Sequence, residues 1–261
     1  MVALDWTAGS ASPLLHALAS LSLQLAPALI SYLLVVTLIE RRRARELSLR
    51  SLPRWGLAGL LAGALLFSAI VGALWLLGSY HVSGTHAQVN WLPQVLVAGG
   101  GAGVGEEIVA RDVLFRMLEE GLGSGWALAV SALVFGGAHA FNPGATLWSS
   151  ASIAIEAGLM LGLLYHVTRS LWACIGLHAA WNITQGTVYG IPVSGLPVRG
   201  WLISQRSGPH WLSGGAFGAE ASVVAGPVLA LFDGLADRCH APRQHGAVVL
   251  APLLPSKQAG G

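Results

Sequence analysis

Charge is scarce in this chain. Of 261 residues, 14 are Lys or Arg and 12 are Asp or Glu, a charged share of 10%. Soluble domains carry roughly 25%, so an ordinary water-facing surface is excluded. Cysteine is scarce too: Cys174 and Cys239 allow at most one bridge, which excludes a disulfide scaffold and a cysteine-rich metal centre. Cys174 sits in an apolar run and reads as a small packing residue. The formal net charge of +2, with arginines gathered in loops, leaves no basic face for nucleic acid. The opening run MVALDWTAGSASPLL has no basic residue ahead of its apolar stretch, which predicts no cleaved secretory signal. What the chain does have is apolar residues, 54% of the total. The mean hydropathy of +0.65 then predicts an integral membrane protein.

Apolar stretches long enough to cross a hydrocarbon core of about 30 Å recur, separated by short polar or Gly/Pro breaks. The predicted helices are 14–39, 55–78, 92–118, 125–142, 147–168, 171–190 and 211–234. The expected fold is therefore all-α, a polytopic transmembrane helical bundle of about seven spans. We divide it into an N-terminal two-helix membrane segment 1–91, a helical core 92–190, and a C-terminal membrane segment and tail 191–261. The run ERRRARELSLRSLPR after the first span holds six arginines, which places it in the cytoplasm and the N-terminus outside. With that orientation Arg116, Arg169 and Arg238 also fall inside. The loops HVSGTHAQVN and AFNPGATL, without Lys or Arg, fall outside.

Against this apolar background the ionisable residues inside spans call for an explanation, since an Asp, Lys or Arg at a span centre costs about 2.5–3.5 kcal/mol on insertion scales. Glu106, Glu107 and Arg111 share one predicted helix, His139 ends another, and His178 and Asn182 share a third. Glu107 and Arg111 stand at i and i+4, in the order that favours an ion pair. Glu106, about 100° around the helix, faces elsewhere. His178 and Asn182, also four apart, project from one face. At ~1.5 Å per residue, Glu106, His178, Asn182 and His139 lie at depths of about 15, 10, 16 and 21 Å from the cytoplasmic end. They are expected to converge on one polar chamber.

The motifs Glu106-Glu107-x-x-x-Arg111, Phe135-x-x-x-His139 and His178-x-x-x-Asn182, in this order, resemble those of the CPBP family of intramembrane endopeptidases. That family includes CAAX prenyl proteases and bacteriocin-processing proteins. The resemblance covers about residues 92–190, with the departure that Ala110 stands where the family often has Phe. It implies an intramembrane endopeptidase whose site is Glu106, His139, His178 and Asn182, supported by Glu107 and Arg111. Glu106 and His139 would hold the attacking water, and His178 and Asn182 would stabilise the oxyanion.

Two schemes of water activation follow. In one the Glu/His pair works with no required cofactor; in the other a zinc ion is held by Glu106, His139 and His178. The first is preferred because no His-Glu dipeptide, and so no H-E-x-x-H, occurs. Other intramembrane protease classes are disfavoured: the chain has no Gly-x-Ser of a rhomboid-like enzyme and no Tyr-Asp or Gly-Asp of a presenilin-like one. The run GGGAGVGEE lacks the Lys-Ser or Lys-Thr of a phosphate loop and is read as a close-packing segment. His166, beside Arg169, is read as interfacial. The expected partners are a membrane-associated peptide or protein substrate and the lipid bilayer, with no nucleic acid. Rival readings are a transporter or proton relay, for which no paired half-repeat is visible, and a noncatalytic immunity protein on the same fold.

Overall fold

The computed structural model describes residues 12–226. Six long helices dominate these residues, and four of them, Leu14–Ile39, Leu52–Leu76, Ser124–Phe141 and Leu147–Thr168, are long and apolar enough to cross a membrane. The third helix, 91–122, and the sixth, 171–188, complete the bundle, each passing through π-helical turns. The third carries the charged motif. The apolar residues face both ways: Leu33, Leu65, Leu133 and Ile155 point outward and are exposed, while Phe67, Ile70, Leu74, Leu171 and Leu177 fill the interior. Water would penalise such an outer surface, and lipid solvates it.

Small residues set how closely the helices approach. Gly59 and Gly63 form a Gly-x-x-x-Gly face on the second helix, pressed against the sixth. A Cβ at Gly59 would lie 2.3 Å from the Ala173 carbonyl oxygen, and one at Gly63 would lie 2.2 Å from that of Leu177. With no strong hydrophobic drive between helices in lipid, such backbone contact holds the pair. The third helix meets the sixth in the same manner, since a Cβ at Gly103 would stand 3.1 Å from the Ala179 backbone nitrogen. The glycine run ahead of the two glutamates thus brings their helix against the one that carries His178.

At one end of the bundle an extramembrane cap forms. Tyr80–Thr85 (β1) pairs antiparallel with Leu202–Arg206 (β2), from Tyr80 opposite Arg206 to Thr85 opposite Leu202, with a bulge between Val82 and Gly84. The segment HVSGTHAQVN, expected to be a plain loop, supplies most of β1. The expected seventh span is corrected over its described part. A four-residue helix, His210–Ser213, and a single turn at Ala219–Ala221 replace it. Gly214, Gly215 and Gly218 take φ of 75, 58 and 148°, which no continuous helix accommodates. Residues 227–234 of that predicted span lie outside the described residues, as does Cys239.

At the opposite end the arginine-rich segment folds back onto the bundle. Arg42 pairs with Glu40 at 2.6 Å and Glu46 at 2.7 Å, and its guanidinium lies 3.8 Å from fully buried Asp112 on the third helix. Arg116 bridges Asp112 at 3.3 Å and also pairs with Glu40. Tyr165 donates to Asp112, and Tyr32 to Glu46, both at 3.0 Å. Beside this cluster Glu119 binds Arg169, and His166 Nδ1 lies 3.0 Å from Glu119.

Candidate active site

Glu107 is completely buried and bonded through both oxygens. Oε2 accepts from Arg111 Nε at 3.0 Å, and Oε1 accepts from His178 Nδ1 at 2.9 Å. Arg111, also fully buried, donates onward to the Gly158 carbonyl at 3.0 Å. Its guanidinium carbon lies 4.9 Å from the Phe135 ring centroid, a cation–π contact. One arginine therefore ties the third helix to the fourth and fifth. The i, i+4 geometry on the third helix supplies the ion pair, and helix packing supplies the rest.

Phe135 carries the second motif in two ways. Its ring lies 4.8 Å from that of His139, and its carbonyl oxygen sits 2.8 Å from His139 Nδ1. A carbonyl only accepts, so Nδ1 bears the proton and the lone pair of the neutral ring is on Nε2. That nitrogen lies 3.8 Å from Glu106 Oε2, an oxygen that has no hydrogen-bond partner. The gap exceeds a hydrogen bond and matches the reach of one bridging water.

His178 and Asn182 line a cavity together with His139, Phe135 and Trp181. Its volume of about 40 Å³ holds a few water molecules. Asn182 Nδ2 donates to the Ala98 carbonyl at 2.9 Å, which uses one of its two N–H groups. Five of the six residues singled out in the sequence thus fall into two sets, Glu106 with His139 and Glu107 with Arg111 and His178, while Asn182 is held apart by the Ala98 carbonyl. The cavity touches both histidines and Asn182, whereas Glu106 is not among its lining residues.

The zinc alternative finds a poor fit. Among the described residues no group of three His, Cys, Asp or Glu side chains could hold a metal ion.

Sequence reasoning missed three carboxyl groups. Asp112 anchors the arginine cluster, and Glu156 and Glu220 line the cavity. Glu156 carried a usable signal, since it is the sole charged residue of the apolar run 147–168. Glu220 fell in the wrongly predicted span; its carboxyl instead accepts from the Ser194 backbone N–H and from Gln185 Nε2.

Helices apolar enough for a bilayer, enclosing a fully buried Glu107–Arg111 pair joined to His178 and a small cavity, define an integral membrane protein with an ionisable site between its spans. Residues 88–184, a little over a third of the chain, match the family described as type II CAAX prenyl endopeptidase Rce1-like, within the CPBP proteases. The match bears out the resemblance drawn from the three motifs, over nearly the same residues. No curated protein and no solved structure matches the chain.

Proposed function

We propose that the protein is an endopeptidase in which Glu106 and His139 activate a water without a required cofactor. The observation that carries this is the 3.8 Å gap between Glu106 Oε2 and His139 Nε2. Both atoms accept hydrogen bonds, so a water placed between them directs one hydrogen to each and a lone pair outward. Transfer of a proton to Glu106 leaves hydroxide to attack the peptide carbonyl. Asn182 keeps one free N–H for the resulting oxyanion. His178 contributes an Nε2–H when doubly protonated, its charge then matched by Glu107. Glu106 returns its proton to the leaving nitrogen as the C–N bond breaks. The substrate is a membrane-associated peptide or protein, with CAAX-type and bacteriocin-type processing as the two candidate activities. The N-terminus lies outside and the protein resides in the cell membrane.

The test is cleavage of a panel of membrane-anchored and prenylated peptides by the purified full chain, beside elemental analysis. The expected outcome is cleavage by the parent with no stoichiometric metal, insensitivity to chelators, and loss of cleavage in a folded Glu106→Gln. Full activity in Glu106→Gln would remove Glu106 from the mechanism. One tightly bound metal per chain, lost with activity in His139→Ala, would replace this scheme by a metal-dependent one.

A further inference from the structure

The cavity contains a carboxyl group for which water activation has no use. Glu156, on the fifth helix, is 6% exposed, and its Oε2 is buried with no hydrogen-bond partner. The Gly226 backbone N–H reaches the carboxyl group, yet Oε2 stays unmatched. A buried acceptor without a donor is costly, and in this position it lines the same cavity as His139 and His178. A second carboxyl, that of Glu220, shares the lining, and its oxygens are taken by Ser194 and Gln185. Among the described residues no Lys or Arg lines the cavity; Phe135 and Trp181 do, and aromatic faces attract cations. The volume of about 40 Å³ suits an ammonium group rather than a whole side chain.

We propose that this cavity is a cation-selective subsite, in which Glu156 binds the ammonium group of a substrate lysine beside the scissile bond. The inference rests on the proteolytic reading for its link to cleavage, though not for binding itself. Its consequence is a restriction on substrate. A CaaX tail brings a free C-terminal carboxylate within three residues of its cysteine. The two cavity carboxyls, with no Lys or Arg beside them among the described residues, oppose that charge, whereas they favour an internal bond next to a basic residue.

The experiment uses the full chain in detergent and the lysine side-chain analogue n-butylamine, with n-butanol and butyrate as controls. Binding is followed by thermal shift and by Trp fluorescence, with cleavage of peptides bearing Lys, norleucine or Glu on either side of the bond as a second readout. The parent is expected to bind butylamine at least 10-fold more tightly than butanol and not to bind butyrate. It should also cleave the Lys peptides with at least 10-fold higher kcat/KM. In Glu156→Gln both preferences should vanish, so that Lys and norleucine peptides are cleaved with the same kcat/KM to within about twofold. Equal affinity of the parent for butylamine and butanol overturns the subsite, whatever happens to cleavage, and needs no variant to fold. Persistence of the preference in Glu156→Gln overturns the role of Glu156. Selective amine binding with no cleavage of any peptide leaves the subsite standing and defeats the proteolytic reading instead.

Discussion

Glu107 and His178, 71 residues apart in sequence, meet at 2.9 Å inside the bundle, where the carboxylate is fully buried and the ring borders the cavity. The contact keeps a proton on Nδ1 as well as fixing the ring's position, because the carboxylate accepts from Nδ1–H and leaves Nε2 for the cavity. It also means that Glu107 answers two donors at once, His178 and Arg111.

Glu107→Gln is therefore expected to lower both stability and activity. The change leaves the buried Arg111 guanidinium without its counter-charge, a loss of about 3–5 kcal/mol in comparable buried pairs. It also offers His178 an amide that can turn either its oxygen or its N–H toward the ring. Thermal unfolding in detergent, beside the cleavage assay, measures both effects. A variant as stable as the parent would mean that Arg111 draws its compensation from the Gly158 and Ala157 carbonyls.

Gly63→Leu should disturb the site although it lies on a helix that carries none of it. The first added atom would already overlap the carbonyl of Leu177, the residue before His178. Overpacking of this kind costs about 1–3 kcal/mol. A displacement of His178 by about 1 Å costs on the order of 10²-fold in rate. Gly72→Leu, where a new Cβ meets nothing within 4 Å, is the control and should be silent. Equal behaviour of the two variants would show that the second and sixth helices tolerate separation.

Acid should loosen the end of the bundle that holds Glu119. Burial alone would raise this carboxyl, but hydrogen bonds from Arg169, Ser124 and His166 hold it at about 2, below its ordinary 4.5. A depressed carboxylate stabilises the fold above its unfolded pKa, and the contribution disappears as pH falls from about 4.5 toward 2. The melting-temperature difference between parent and Glu119→Gln should shrink across that window. A constant difference would place the stabilisation in packing.

Orientation is open to a direct check. With the arginine-rich segment in the cytoplasm, a single Cys at Arg43, an exposed position, should react with an impermeant maleimide only after the cells are opened. A Cys at Pro143 should react in intact cells. Labelling of the Arg43 position from outside would reverse the whole topology.

Much of this architecture is legible in the chain itself. The spans 14–39 and 147–168 coincide with the helices found, because long apolar runs bounded by polar residues leave little freedom in a membrane. The Glu107–Arg111 pair is equally readable, since one helical turn enforces it. The Glu107–His178 bond is not, as it depends on which faces of two helices the glycines bring together. The segment 211–226 was misread because its apolar composition outweighed Gly214, Gly215 and Gly218, whose backbone conformations decide the matter. The arginines of the first loop read as topology determinants, and nothing in the sequence pattern points to Asp112, which one of them faces.

That last contact links biogenesis to chemistry. Arg42 counts among the charges that hold the first loop on its side of the membrane, and it also faces Asp112, the residue that follows Arg111 on the third helix. A copy in which the first span alone threads in the opposite sense strands Arg42 across the bilayer and takes Glu40 and Glu46 with it. Asp112 and Arg116 are then left with half a network on the helix that carries Glu106 and Glu107. Correct threading of the first span is in this way a condition for completing the charge network on the third helix.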